Sequence, residues 1–119
     1  MKTLSENKQT TVDFSDIELA RQLFGEHNRH LQRIATATDT TVNARGSKVF
    51  IEGESIATRL AQNVLEQLYG ILKDGYPVHA NDIDYAIRVL SGNDRADLKK
   101  IFLDTVFITS KKTTISLKS

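Results

Sequence analysis

One long apolar stripe limits what this chain can fold into. Ile56, Ala57, Leu60, Ala61, Val64, Leu65, Leu68, Ile71 and Leu72 recur at three- and four-residue spacing. That period places them on one broad face of a single long helix. A face that wide needs a second layer to bury it. The residues just before it supply one. TTVNA and KVFIE each alternate apolar with polar side chains, and Gly46-Ser47 between them has the form of a two-residue hairpin turn. Gly53 ends the hairpin, Ser55 is placed to cap the helix, and Gly75 and Pro77 close it. A hairpin backed by an amphipathic helix is an α+β arrangement.

Upstream, residues 1–9 are polar and predict a frayed, flexible terminus. Residues 10–14, TTVDF, predict a short strand. Ser15 and Glu18 then have capping-box spacing. The helix they open presents Ile17, Ala20, Leu23 and Phe24 inward and ends at Gly25. A second helix starts near Asn28, turns Leu31, Ile34 and Ala35 inward, and runs out in a Thr-rich stretch over 36–41. Downstream, one helix starts at Asn81 with Ile83, Ala86, Ile87 and Leu90 on one side and stops at Gly92. Another starts near Asp94 and presents Leu98, Ile101 and Phe102. The last residues, VFITSKKTTISLKS, alternate like two strands. Four regions follow: a flexible terminus (1–9), a core (10–75), a helical extension (76–105) and a terminal hairpin (106–119).

Composition narrows the function. A chain of 119 residues, 39% hydrophobic and 26% charged, can bury a core without staples. It has no Cys, which excludes disulfides, thiolate metal sites and a Cys nucleophile. No apolar run approaches the ~20 residues that cross a bilayer. The first residues lack the apolar core of a signal peptide. The expected location is the cytoplasm, with no membrane partner.

No catalytic constellation stands out. The GxxxxGK[ST] phosphate loop is absent. His27 and His30 are three apart, a spacing that can hold a metal on a helix, but only Glu26 or Asp39 is near as a third ligand. Two solvent-facing histidines are the simpler reading. Asp82 and Asp84 fall in the first turn of a helix, where negative charge is favoured without any catalytic role. No metal, cofactor or enzymatic activity is expected of these residues.

The chemistry that remains lies around LFGEHNRHLQRI. Strand, helix, helix, strand, strand, helix is the element order of a minimal KH domain, in which a GxxG loop between the first two helices clamps a nucleic-acid backbone. Gly25-Glu26-His27-Asn28 falls at that junction. Glycine lets a phosphate approach the main chain, and the next helix offers unpaired N–H groups and the positive end of its dipole. Asn28 stands where the second glycine would be; Asn tolerates the left-handed region and caps helices. Glu26 puts a negative charge where the phosphate would sit. Against it, residues 21–48 hold five cations and two anions, a local +3 in a chain of net +1. Arg29 and Arg33 share a helix face, and Arg45 and Lys48 flank the hairpin turn. The expected nucleic-acid contacts are Gly25, His27, Asn28, Arg29, Arg33, Arg45 and Lys48. If Val49 and Ile51 face the helices, Phe50 lies on the other face of the sheet. There it either stacks on a base or, the preferred reading, is covered by the C-terminal helices.

Three stretches together resemble the N-terminal region of the PhoH family, the phosphate-starvation-type ATPases of bacteria. They are LFGEHNRHLQRIATATDTTVNARGSKVFIEGE, LEQLYGILKDGYPVHANDIDYAIR and IFLDTVFITSKKTTISLKS. Ile108, Thr109, Lys112, Ile115, Lys118 and Ser119 match the family's I-x-T…K…I-x-x-K-[ST] segment, with Leu117 where a proline is usual. The resemblance implies a KH-like core, two additional C-terminal helices and a terminal β-hairpin leading toward an ATPase domain that would begin where this chain stops. It implies a truncated chain whose full-length parent is an ATPase, with ATP and Mg held only by the missing domain. The partners implied are single-stranded RNA, the chain's own ATPase domain and a possible second copy. The alternative is an interdomain or oligomerisation module that does not bind RNA.

Overall fold

The computed structural model describes residues 7–101. Its elements are β1 (Asn7–Asp13), α1 (Ile17–Phe24), a 3-10 turn (Glu26–Asn28), α2 (Arg29–Thr38), β2 (Thr41–Arg45), β3 (Lys48–Glu54), α3 (Ser55–Lys73) and α4 (Ala80–Gly92). The predicted order holds through α4. A last stretch of helix begins at Leu98 rather than near Asp94. Phe102 and the expected hairpin over 106–119 lie outside the described residues.

The sheet is antiparallel in the order β1-β3-β2. Thr11 and Asn43 flank Phe50, and Val12 and Ala44 flank Val49. Direct partners share a face, so Val12, Val49 and Ile51 line one side and Phe50 the other. The first side is buried with Leu23, Leu31, Ile34, Val64, Leu65 and Leu68 in one core. Gly46, at φ +60, supplies the left-handed residue of the hairpin turn.

Several local expectations are corrected. β1 begins at Asn7, three residues before the strand predicted to start at residue 10. The cap of α1 is Asp16, whose carboxylate accepts from the N–H groups of Glu18 (2.9 Å) and Leu19 (3.3 Å). Ser15 is drawn away, its Oγ 3.3 Å from the Tyr69 hydroxyl, which also accepts from the Asp16 N–H at 2.9 Å. α3 starts one residue early, with Glu54 rather than Ser55 at its cap position. Ile17 and Ile56 do not enter the core; they are 43% and 81% exposed. Thr58 takes the inward position in the first turn of α3, and its hydroxyl donates to the Ser55 carbonyl at 2.9 Å.

α4 packs on α2 and α3, within the helical layer. Its cap is a box in which the Asp82 carboxylate accepts from the His79 N–H at 2.8 Å. After α4 the chain crosses back over α3. Asn63 donates to the Asp94 carbonyl at 3.0 Å. Gln67 donates to the Ala96 carbonyl at 2.9 Å and accepts from the Leu98 N–H at 2.7 Å. Lys99 reaches Asp74 at 2.9 Å, and Leu98 is fully buried.

Candidate nucleic-acid interface

α1 ends because Gly25 adopts φ 79, ψ 171, a region essentially open only to glycine. Its N–H still donates to the Arg21 carbonyl at 3.0 Å. The chain then makes one tight turn, with the Asn28 N–H donating to the Gly25 carbonyl at 3.1 Å. His27 and Asn28 are both left-handed, at φ 56 and φ 58. Asn and His are among the side chains enriched there, so the sequence meets the strain with tolerant residues. Glu26, His27, Asn28 and Arg29 are all exposed.

His30 braces the corner. It is half-buried, not solvent-facing as expected, and its Nδ1 donates to the Leu23 carbonyl at 3.0 Å. A Cβ on Gly25 would come within 2.8 Å of the His30 ring. The last turn of α1, the glycine and the first turn of α2 thus interlock. Among the described residues no group of three or more His, Cys, Asp or Glu is placed to hold a metal.

The expected cations divide. Arg29 is the first residue of α2 and makes no ion pair among the described residues. Arg33 is committed elsewhere: its Nε and Nη2 bind the two oxygens of Asp84 on α4 at 2.7 and 2.8 Å. Those hydrogen bonds hold the Asp84 carboxyl below the usual carboxylate range, against a smaller opposing effect of desolvation. Arg45 and Lys48 are cross-strand partners at the hairpin end of the sheet and both are exposed. Asp13, the partner of Lys48 on β1, shares their face.

Phe50 lies on the open face, half-buried between Thr11 and Asn43. The expected cover by the C-terminal helices is not what the described residues show. α4 joins the helical layer, and the segment after it follows α3. Phe50 sits between a cationic end, Arg45 and Lys48, and an anionic one, Glu52 and Glu54.

A groove of about 540 Å³ opens beside the loop. It is lined by Arg21, Gln22, Phe24, Gly25, Glu26, Asn28, Leu72, Pro77 and Val78. Of the expected contacts it gathers Gly25 and Asn28, but not His27, Arg29, Arg33, Arg45 or Lys48. Sequence reasoning did not single out Arg21 and Gln22, which line this groove. Their position one turn before Gly25 was the available signal.

No family model matches the chain. It is similar to a PhoH-like protein of Bacillus subtilis (strain 168), with 20% identity over 100 residues, 84% of this chain and 31% of that protein. The chain therefore spans less than a third of that relative's length. Its fold is similar to that of a protein of unknown function from Aeropyrum pernix, with TM-score 0.56, 19% identity, 84% of this chain and 55% of the other. It is also similar to Dim2p from Pyrococcus horikoshii, with TM-score 0.54, 21% identity and coverage of 69% and 49%. At these identities the two structures speak for the fold alone. Among the described residues no helix is long and apolar enough to cross a membrane.

Proposed function

We propose that this chain is a KH-like module that binds single-stranded RNA through residues 25–29, as an accessory part of a longer PhoH-like ATP-binding protein. ATP and Mg would belong to that protein's ATPase domain, which would be the module's neighbour. One observation carries the reading: an exposed corner at the junction of α1 and α2, with Gly25 in a glycine-only conformation and the first turn of α2 directly behind it. Such a corner brings main-chain N–H groups and a helix N-terminus to a phosphate. Arg29, exposed and without an ion pair among the described residues, adds the charge. The similarity to a PhoH-like protein supports the same reading.

The test is fluorescence anisotropy with a short single-stranded RNA at low and physiological salt, with duplex DNA for comparison. Binding to RNA should weaken with salt. Arg29→Glu should weaken it across sequences and lower the salt slope by about one. Absence of RNA binding at high micromolar protein would overturn the reading. The second reading, an interdomain or oligomerisation module, would then stand. It is supported by Arg33, which Asp84 already holds, and by Ile56, which stands 81% exposed at the lip of a groove with Leu60 and Leu90.

A further inference from the structure

Glu26 is a poor residue for a phosphate loop, yet it lines the groove on the α1 side of the corner. The same groove holds Arg21 one turn earlier, and its apolar wall is Phe24, Leu72, Pro77 and Val78. About 540 Å³ is ample for one nucleotide. We infer that this groove is a base pocket that selects guanine in single-stranded RNA. The inference rests on the RNA-binding reading above.

The chemistry of the donor set points to guanine. A guanidinium offers parallel donors and prefers the O6 and N7 acceptors of guanine. A carboxylate offers only acceptors and needs adjacent donors. Guanine presents both, with O6 and N7 on one edge and N1–H and the 2-amino group on the other. Adenine, cytosine and uracil have no adjacent donor pair for Glu26. The placement also removes the conflict at the loop. The phosphate meets Arg29 and the N-terminus of α2, and the base turns into the groove, away from the phosphate path. Glu26 then reads the base rather than opposing the backbone. Pro77, exposed on the wall, supplies a flat apolar surface for the ring.

The experiment compares an eight-residue all-uridine RNA with the same strand carrying one central guanosine, adenosine, cytidine or inosine. Anisotropy titrations use the whole 119-residue chain. The guanosine strand should bind about tenfold tighter than the others. Inosine, which lacks the 2-amino donor, should fall between. Glu26→Ala should abolish the guanosine preference by weakening the guanosine strand to the level of the others, and should leave the all-uridine strand little changed. Arg21→Gln should also abolish the preference. Both positions are exposed, and circular dichroism checks that the fold is kept. Equal affinity for all strands would overturn the inference and leave RNA binding standing. So would a Glu26→Ala variant that tightens guanosine and uridine strands alike, since Glu26 would then only repel. No binding of any strand would overturn both readings.

Discussion

Gly25 and His30 require one another. The glycine has a backbone conformation that other residues scarcely adopt, and the imidazole fills the volume where its Cβ would be. The ring is held there by its bond to the Leu23 carbonyl. Gly25→Ala should therefore destabilise the protein by roughly 1–3 kcal/mol from backbone strain, with a steric part added by the ring. Only the steric part should be relieved in a His30→Ala background. A double-mutant cycle read by urea melts separates the two. An identical cost of Gly25→Ala in both backgrounds would show that the ring is no obstacle. Sequence reading found the glycine, since a lone Gly after an amphipathic run marks a helix end. It missed the histidine's part, because that contact exists only once the chain has reversed direction.

At the scale of elements, periodicity carried most of the fold, and its misses share a cause. Ile17 and Ile56 have the right spacing but sit in first turns that the core does not reach, whereas Thr58 is buried because its hydroxyl finds a local carbonyl. The cap of α1 shifted by one residue where a distant partner, Tyr69, engages Ser15. The Arg33–Asp84 pair was equally hidden, since it joins residues 51 positions apart. Each partner had been assigned a separate role from its own helix. The pair ties α2 to α4, and both side chains remain partly exposed, 46% and 40%. Its effect should therefore be small and weakened by salt. The direction with pH is definite. The folded Asp84 carboxyl lies below its ordinary value of 3.8, so the unfolded chain takes up the proton first. The pair's contribution is complete above that ordinary value and is lost as pH falls through it toward the lowered one. Asp84→Asn should thus lower Tm at neutral pH, and the gap to wild type should close on acidification. A gap that stays constant down to pH 2 would show that Asp84 acts through packing and not through charge.

At the scale of the whole molecule, the helices lie on one face of the sheet, and the chain leaves along the outside of α3. That exit is built from a side-chain amide. Gln67 mimics a strand partner, donating to the Ala96 carbonyl and accepting from the Leu98 N–H. Leu98 then seats in the core. Nothing in the alternation or spacing of residues 93–98 announces this, because the partner is one glutamine on a helix whose apolar face lies elsewhere. The arrangement fixes the path of residues 94–98 along α3. Gln67→Leu removes these two bonds and the one its amide donates to the Asn63 side-chain oxygen at 2.9 Å, and leaves the Leu98 N–H without its acceptor, at a cost of about 1–3 kcal/mol. Because the core contacts of α3 are untouched, the loss should appear first as local release of the segment. Native-state hydrogen exchange distinguishes the cases. Amides of Leu98 and Ile101 should gain exchange well beyond those of Val64 and Leu68 in the same variant. If all four rise together, the segment and the core open as one unit, and the exit is part of the fold itself rather than a clasp laid upon it.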